Sequence, residues 1–496
     1  MPFHKELLEK RKNLIECGIN PYPYSFEQSC PIEKIRSEEA DFLDKEVSIP
    51  GRVTAQRIQG KVSFVNIEDF EGQIQIYFKK DLIDETSWKI VKQLDLGDII
   101  GVRGKVFRTR TNELTISAEE VQMLAKTTVP VPICKKTEEK TFYQLSDPEI
   151  KYRERYIHWI TEPQARQKMV MRARIISEVR KFMESNGFLE VTTPTLEMIY
   201  GGAEATPFET NVKALSNQKV FLRISPELSL KRFIVGGFPR VFTICQNFRN
   251  EGIDRSHNPE FTMMEWYEAY TDYEFQMKRF EELVFTVAVN TTGSGKITYQ
   301  GREVDLTPPW RRLTMVDAIK EVNGIDVESM GDDAIKEFAK QRDIELQEPF
   351  SSGLSIEEIF KATCEEKLIQ PTFIMDHPAE TSPLTKSKRG KPGFVERFEP
   401  FIVGMEMGNA YSELTDPVEQ HERLCRQKEA HASKKDASDH PVNPMDLDFV
   451  KALGCGMPPT GGVGLGIDRL VMLLTDSHSI REIIAFPLMK PKQKHE

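Results

Sequence analysis

Cysteine is scarce and badly placed for crosslinking. Seven residues in 496, Cys17, Cys30, Cys134, Cys245, Cys364, Cys425 and Cys455, are odd in number and contain no CxxC pair. This argues against a disulfide scaffold and a structural zinc site. Long apolar runs are missing too: nothing approaches the ~18 uncharged residues of a membrane span, and Met1-Pro2-Phe3-His4 leads into charged residues rather than an apolar signal core. The expectation is a cytoplasmic, reducing location with no membrane partner. Excess positive charge is also lacking, because Lys+Arg 67 against Asp+Glu 77 leaves −10. A globally basic coat for nonspecific nucleic-acid binding is thereby excluded, and any nucleic acid must be held at local patches. No internal repeat, lipidation signal or long low-complexity tract is present.

What is there changes texture along the chain. A charged helical pattern spans 3–17, within an N-terminal segment 1–44. Short alternating runs at 47–53, 62–67, 73–78, 99–107 and 114–123, punctuated by Gly51, Gly60, Gly72 and Gly104, predict five strands. A helical stretch near 87–94 separates the third from the fourth. That order suits an OB-type barrel over 45–125, a fold that often offers one face to single-stranded nucleic acid and otherwise serves structure or oligomerisation. A linker is expected at 126–148, a large domain at 149–490 and a frayed tail at 491–496. In the large domain Met169, Ala173, Ile176, Val179 and Met183 recur at helical spacing, closed by Asn186-Gly187. Residues 219–270 read as alternating strand and loop, 272–370 as a helical insertion, and strand character returns at 372–375, 395–403 and 405–414. The fold class is α+β.

Three polar clusters carry the chemistry. The first is Arg249-Asn-Glu-Gly252, then His257-Asn-Pro-Glu-Phe261, then Glu265 and Tyr267, which a strand places on one face. Arg249 suits a bidentate grip on phosphate or carboxylate, and Phe261 a stacked base. The second is Arg397-Phe-Glu399, Gly404-Met-Glu406 and Asn409-Ala-Tyr411-Ser-Glu413. An amide, a phenol and a carboxylate on one strand face would be costly against apolar neighbours, so this face is expected to line a wet pocket. Glu399 and Glu406 are the hard oxygen donors that Mg²⁺ takes alongside phosphates. Taken singly, each is more often a solvated carboxylate. The third is Gly461-Gly-Val-Gly-Leu-Gly-Ile-Asp468-Arg469. Its spacing does not match the dinucleotide fingerprint, and no βαβ unit surrounds it. Asp468 is expected to cap the following helix, and Arg469 in its first turn is disfavoured unless an anion is nearby, which an anionic ligand such as a nucleotide phosphate would supply.

These clusters resemble the class II aminoacyl-tRNA synthetases, and within them the lysyl-tRNA synthetases of bacterial type. The class motifs are matched by the helix and strand ending at Pro194, by 248–265 and by Gly464-Leu-Gly-Ile-Asp-Arg469. The lysyl subtype is matched by Gly201-Gly-Ala203, Ser225-Pro-Glu-Leu228, Asn409–Leu414 and Gly456–Gly462. The resemblance implies an antiparallel-sheet catalytic domain behind an anticodon-reading OB fold, and a homodimer. It implies ATP bent over the sheet, its α-phosphate on Arg249 and its adenine between Phe261 and Arg469, with Glu251, His257 and Asn258 contacting the nucleotide. Glu399 and Glu406 would hold Mg²⁺. For L-lysine it implies Gly202 and Glu227 at the α-amino group, Arg249 and Asn409 at the carboxylate, and Glu265, Tyr267, Tyr411 and Glu413 around the side chain. The resemblance makes Arg249 and Arg469 the expected catalytic pair. In the barrel, Arg57, Phe64 and Glu113 would read the tRNA(Lys) anticodon, although Phe64 alone reads equally as barrel core. The activity implied is lysyl-adenylate formation followed by transfer to tRNA, which explains why no Ser/His/Asp or Cys/His set is evident.

The chain departs from the family at Ser256, where Arg is common before the His, and at Thr206-Pro207-Phe208, and it carries an extra polar stretch at 431–442. Three other readings remain. An aspartyl or asparaginyl relative should present cations to its substrate, whereas Glu265 and Glu413 are anions. The ligase that adds lysine to an elongation factor lacks the barrel. A catalytically silent RNA-binding paralogue need not keep Arg249, Glu399, Glu406 and Arg469 together.

Overall fold

The computed structural model describes residues 3–133, 135–136, 141–142, 148–347, 350–432 and 445–491. Residues 134, 137–140 and 143–147 of the expected linker, and most of the tail and of the 431–442 stretch, therefore lie outside the described residues. Among the described residues no helix is long and apolar enough to cross a membrane, and the six cysteines are unpaired. The chain divides into two compact units, Met1–Arg166 and Gln167–Glu496.

In the first unit, helix α1 (Lys5–Glu16) precedes strands β1 (Glu46–Gln59), β2 (Val62–Glu68) and β3 (Gln73–Lys79), helix α2 (Glu85–Gln93), and strands β4 (Ile99–Arg108) and β5 (Leu114–Ala125). Pairing runs β1-β2-β3-β5-β4, and β4 pairs back to β1, so the barrel closes. The alternation decides which side chains enter it: Val65, Ile67, Ile74, Ile76 and Phe78 point inward, and their neighbours point out. Strand β1 continues well beyond its expected stop at 53, because a bulge between Val53 and Ala55 bends it onto β2. Asp84 caps α2 by accepting from the Ser87 N–H at 2.9 Å.

The second unit is built on one nine-stranded sheet. Its main elements are α3 (Gln164–Ser185), β6 (Leu189–Glu190), α4 (Glu227–Val235), β7 (Arg240–Phe248), β8 (Glu260–Ala269), α5 (Tyr273–Thr292), β9 (Arg311–Thr314), α6 (Ser352–Thr363), β10 (Thr372–Pro378), β11 (Phe394–Ile402), β12 (Gly408–Ser412), α7 (Leu447–Gly454), β13 (Thr460–Leu465) and α8 (Ile467–Leu474). Strand order is β9-β10-β11-β12-β13-β8-β7-β6, antiparallel except at its two ends, and Met405–Glu406 pairs beside β11. Period two gives the sheet an oily face and a wet face. Met264 and Trp266 of β8, Phe398 of β11 and Val463 and Leu465 of β13 pack against Phe280, Val284 and Val287 of α5. The alternate residues of the same strands face the cavity described below. Helix α5 starts at Asp272, which accepts from the Glu274 and Phe275 N–H groups, and stops at Gly293 in the left-handed region.

Three expectations are corrected here. The α3 stripe is Ile175, Val179 and Met183 with Ile176 partly buried, whereas Ala173 is exposed. Residues 227–235, read as strand and loop, form α4; its buried face carries Glu227, Leu230, Lys231 and Ile234, so charges interrupt the apolar signal that marks a helix. Within 272–370, α5 belongs to the main core, β9 joins the main sheet, and Lys296–Tyr299 pairs with Arg302–Asp305.

Candidate active site

Strand β13 is the floor of the site. Its Gly464 lies opposite Glu265 of β8 and Asn409 of β12, and its Gly462 opposite Tyr267 and Tyr411. Two positions without side chains leave a trough between two polar rows. A Cβ on Gly462 would collide with Glu413 Oε1 and the Tyr267 ring. The glycine-rich run therefore makes room on a sheet and is not a phosphate loop.

Above this floor lies a cavity of about 1200 Å³. Gly202, Glu227, Arg249, Glu251, His257 and Asn258 line it, as do Phe261, Glu265, Tyr267, Glu406, Asn409, Tyr411 and Arg469. Glu399 and Glu413 lie outside that lining. Glu413 instead is fully buried behind Gly462 and Tyr267.

One end of the cavity is acidic. Ser225 Oγ donates to Glu265 at 2.7 Å, and Tyr267 Oη donates to the other Glu265 oxygen at 3.1 Å. Burial, then the charge of Glu227, pushes the Glu265 carboxyl up to about 8 against these bonds and the pull of Arg249. Burial likewise raises Glu413, with Lys231 opposing. Lys231 is itself fully buried, its Nζ 2.6 Å from Glu227 Oε1 and 2.5 Å from Glu413 Oε2. Burial works against its charge, but the two carboxylates outweigh it and raise its pKa. Gly202, at φ +84°, packs its backbone onto Ser225 and Glu227, where a side chain would not fit.

Two guanidinium groups also line the cavity. The Arg249 guanidinium lies 5.1 Å from the centroid of the Phe261 ring, and its buried Nε has no hydrogen-bond partner among the described residues. Burial lowers its pKa while Glu251, Glu406 and Glu265 oppose. Arg469 donates to the Glu406 carbonyl and sits 3.4 Å from Glu406 Oε2. The anion that a first-turn cation demands is thus supplied by the protein itself. Asp468 does not cap α8, whose cap is Gly466 without a side-chain bond. It accepts from the Thr262 N–H at 2.8 Å and from Arg172 Nη1 at 2.5 Å, tying α8 to β8 and α3. Asn258 Oδ1 is buried without a hydrogen-bond partner among the described residues. His257 stands exposed on a turn in which Asp254 accepts from the Ser256 and His257 N–H groups at 2.7 Å. Burial resists ionisation of Asp254, but these bonds and the His257 ring hold it down to about 2.

Glu399 and Glu406 lie within electrostatic reach of each other: burial, then Glu399, raises Glu406, with Arg469 and Arg397 opposing. Arg397, to which the sequence assigned no role, is buried and bonds Asn409 Oδ1 at 3.0 Å, Ser382 Oγ at 2.9 Å and Glu399 Oε1 at 2.5 Å. Glu365 is a third carboxylate here, raised to about 7 by burial and then by Glu399 and Glu406. It follows α6 in the chain, and no sequence motif singled it out. Among the described residues no set of three or more His, Cys, Asp or Glu makes a complete metal site. A carboxylate pair of this kind fits Mg²⁺ when phosphate oxygens and water supply the remaining positions. The two departures also find partners: the Thr206 N–H donates to Glu251 Oε1 at 3.2 Å and its carbonyl accepts from the Asn250 N–H, while Ser256 Oγ donates to Asp254 Oδ1 at 3.1 Å.

In the first unit Arg57 pairs across from Phe64, and Phe64 across from Tyr77. The Phe64 and Tyr77 rings are 5.2 Å apart, and Tyr77 and Phe107 6.1 Å. All three rings are half-buried on the outer face, so Phe64 is not core. Tyr77 and Phe107, which sequence reading passed over, extend the row. Glu113 is exposed on the turn that follows β4, its N–H donating to Thr109 Oγ1.

Two family descriptions match this arrangement: "tRNA synthetases class II (D, K and N)" over residues 147–490, and "OB-fold nucleic acid binding domain" over 47–124. The chain belongs to the class II tRNA synthetases. Within that family it is similar to proteins named Lysine–tRNA ligase. The one from Thermoanaerobacter sp. (strain X514) is 46% identical over 486 residues, covering 98% of this chain and 95% of the relative. Those from Moorella thermoacetica and Listeria innocua are 45% and 46% identical over 489 and 490 residues, covering 97% and 96% of their own lengths. For this class II synthetase, the sheet floor, the buried carboxylates and the two guanidinium groups are the geometry that any functional reading must use.

Proposed function

We propose that this class II synthetase is a lysine–tRNA ligase: it activates L-lysine with ATP to lysyl-adenylate and passes the lysyl group to the 3′ end of tRNA(Lys). The observation that carries the reading is a cavity lined by Glu227 and Glu265, with Glu413 buried behind its wall, that Arg249 and Arg469 also line. Buried carboxylates suit a cationic amino acid, and guanidinium groups suit a triphosphate.

In the first step an oxygen of the lysine carboxylate attacks the α-phosphorus, and pyrophosphate leaves. Arg249 neutralises the phosphate and carboxylate charge that would otherwise repel, and Asn409, oriented by Arg397 and Tyr411, holds the carboxylate. Gly202 and Glu227 take the α-amino group, while Glu265, Tyr267, Tyr411 and Glu413 surround the side-chain ammonium. Adenine lies between Phe261 and Arg469, with Glu251, His257 and Asn258 at its nucleotide. Glu399 and Glu406 would hold Mg²⁺, which when bound would supply charge to offset that of the pyrophosphate. In the second step the terminal ribose hydroxyl attacks the adenylate carbonyl and AMP leaves. The barrel row of Arg57, Phe64 and the turn at Glu113 reads the anticodon by stacking and base-edge contacts. The active form is a homodimer. ATP–pyrophosphate exchange with each amino acid in turn tests the assignment: lysine alone should support rapid exchange, and exchange driven by aspartate or asparagine, or by none, refutes it.

A further inference from the structure

Lys231 is a cation placed where a lysine-binding pocket would be expected to keep cations out. Its ammonium is fully buried and touches one oxygen of Glu227 and one of Glu413. It cannot be a stray surface ion pair, since Glu227 and Lys231 sit one turn apart on the buried face of α4, and Nζ lies 5.8 Å from the centroid of the Phe449 ring of α7. Glu265, Tyr267 and Tyr411 are the other titratable groups around this end, contributed by β8 and β12. Once a bound cation has displaced the Glu265 proton, three ionised carboxylates against one ammonium leave two negative charges. An amino acid with an α-ammonium and a side-chain ammonium supplies two positive ones, while its carboxylate is left for Arg249.

We propose that Lys231 is a positioning residue for amino-acid selection: by clamping Glu227 and Glu413 to one another it fixes both carboxylates and matches the pocket's charge to a substrate bearing two ammonium groups. The inference rests on the lysine reading above. The clamp has a physical necessity. Without it two buried carboxylates would face each other across a dry space, one of them would take up a proton, and the anion offered to the substrate would be lost.

The test is ATP–pyrophosphate exchange on the full chain with Lys231→Met, which keeps the unbranched side chain to within one atom of its length and removes its charge. The lysine KM should rise about tenfold or more at pH 7, as for loss of one buried charged partner, with the ATP KM unmoved. That rise should shrink as the pH goes from 7 to 8.5 and the carboxylates shed the extra proton. A lower lysine KM would mean that Lys231 is a tethered competitor occupying the substrate's place, and would overturn the proposal. An equal, pH-independent loss for both substrates would reduce the residue to structural support, and would overturn it too. Should Lys231→Met fail to fold, the double variant Lys231→Met/Glu413→Gln removes an anion together with its cation. Its lysine KM should lie below that of Glu413→Gln alone, and an equal or higher value refutes charge matching. If the wild-type chain does not exchange with lysine, the functional reading fails. If it does and the variants behave otherwise, only this inference fails.

Discussion

Glu265 offers a prediction that follows directly from where β8 puts it. Its carboxyl is buried beside Glu227 and stands at about 8 in the ligand-free protein. At pH 7 it is therefore about nine-tenths protonated, and a substrate ammonium must first displace that proton at a cost of about 1.4 kcal/mol. The sign follows from the raised value: the proton is held below pH 8, the cation favours the ionised form, and so lysine binding releases a proton and tightens as the pH rises through 8. Between pH 6.5 and pH 8 the ionised fraction grows about fifteenfold, and the lysine KM should fall by about that factor while the ATP KM stays flat. Pyrophosphate exchange at saturating ATP measures the first. Calorimetry of lysine binding in two buffers of different ionisation enthalpy counts the proton. Glu265→Gln should abolish the slope and leave the lysine KM at its weak, acid-side value. A flat lysine KM over that range, together with buffer-independent heats, would refute the reasoning.

Other perturbations separate the parts of the site. Gly462→Ala puts a methyl group against Glu413 and Tyr267, an overpacking cost of about 1–3 kcal/mol; it should raise the lysine KM at least tenfold and leave the ATP KM alone, and equal effects on both would argue against a lysine end. Arg172→Leu strips Asp468 of its buried partner, which should cost about 3–5 kcal/mol and appear in calorimetry as a lower melting temperature for the catalytic unit; an unchanged melt would show that Asp468 is neutral there. Arg57→Ala and Phe64→Leu should raise the KM for tRNA about tenfold, within the ~1–3 kcal/mol of a lost stacked base or contact, with lysyl-adenylate synthesis intact; loss of adenylate synthesis would mean that the barrel is not a separate reading head.

The barrel was legible because period two survives in it: each of the five alternating runs became a strand, and only the bulge at Val53 and Ala55 hid the true length of β1. The same period correctly put Glu265 with Tyr267, and Asn409 with Tyr411, on one face. Helix α4 was missed for the opposite reason. Its inward face carries Glu227 and Lys231, and a reading that looks for apolar residues at helical spacing treats such a face as outside. The third motif was read as a helix entrance awaiting an anionic ligand, whereas the protein itself sets Glu406 beside Arg469.

Taken alone, the amino-acid order determined the element types wherever side chains alternate, the family through its three motifs, and the signs of the charges that the site must carry. Only the tertiary structure decided that the glycines of β13 form a floor, that Glu413 stands behind the cavity wall, that Arg397 ties Asn409 to Glu399, and that Lys231 joins two carboxylates. The physical reason is that burial and pairing are properties of neighbours brought together from far apart in the chain. A carboxylate's charge is written in its residue type, but its proton affinity and its partner depend on what the fold packs around it.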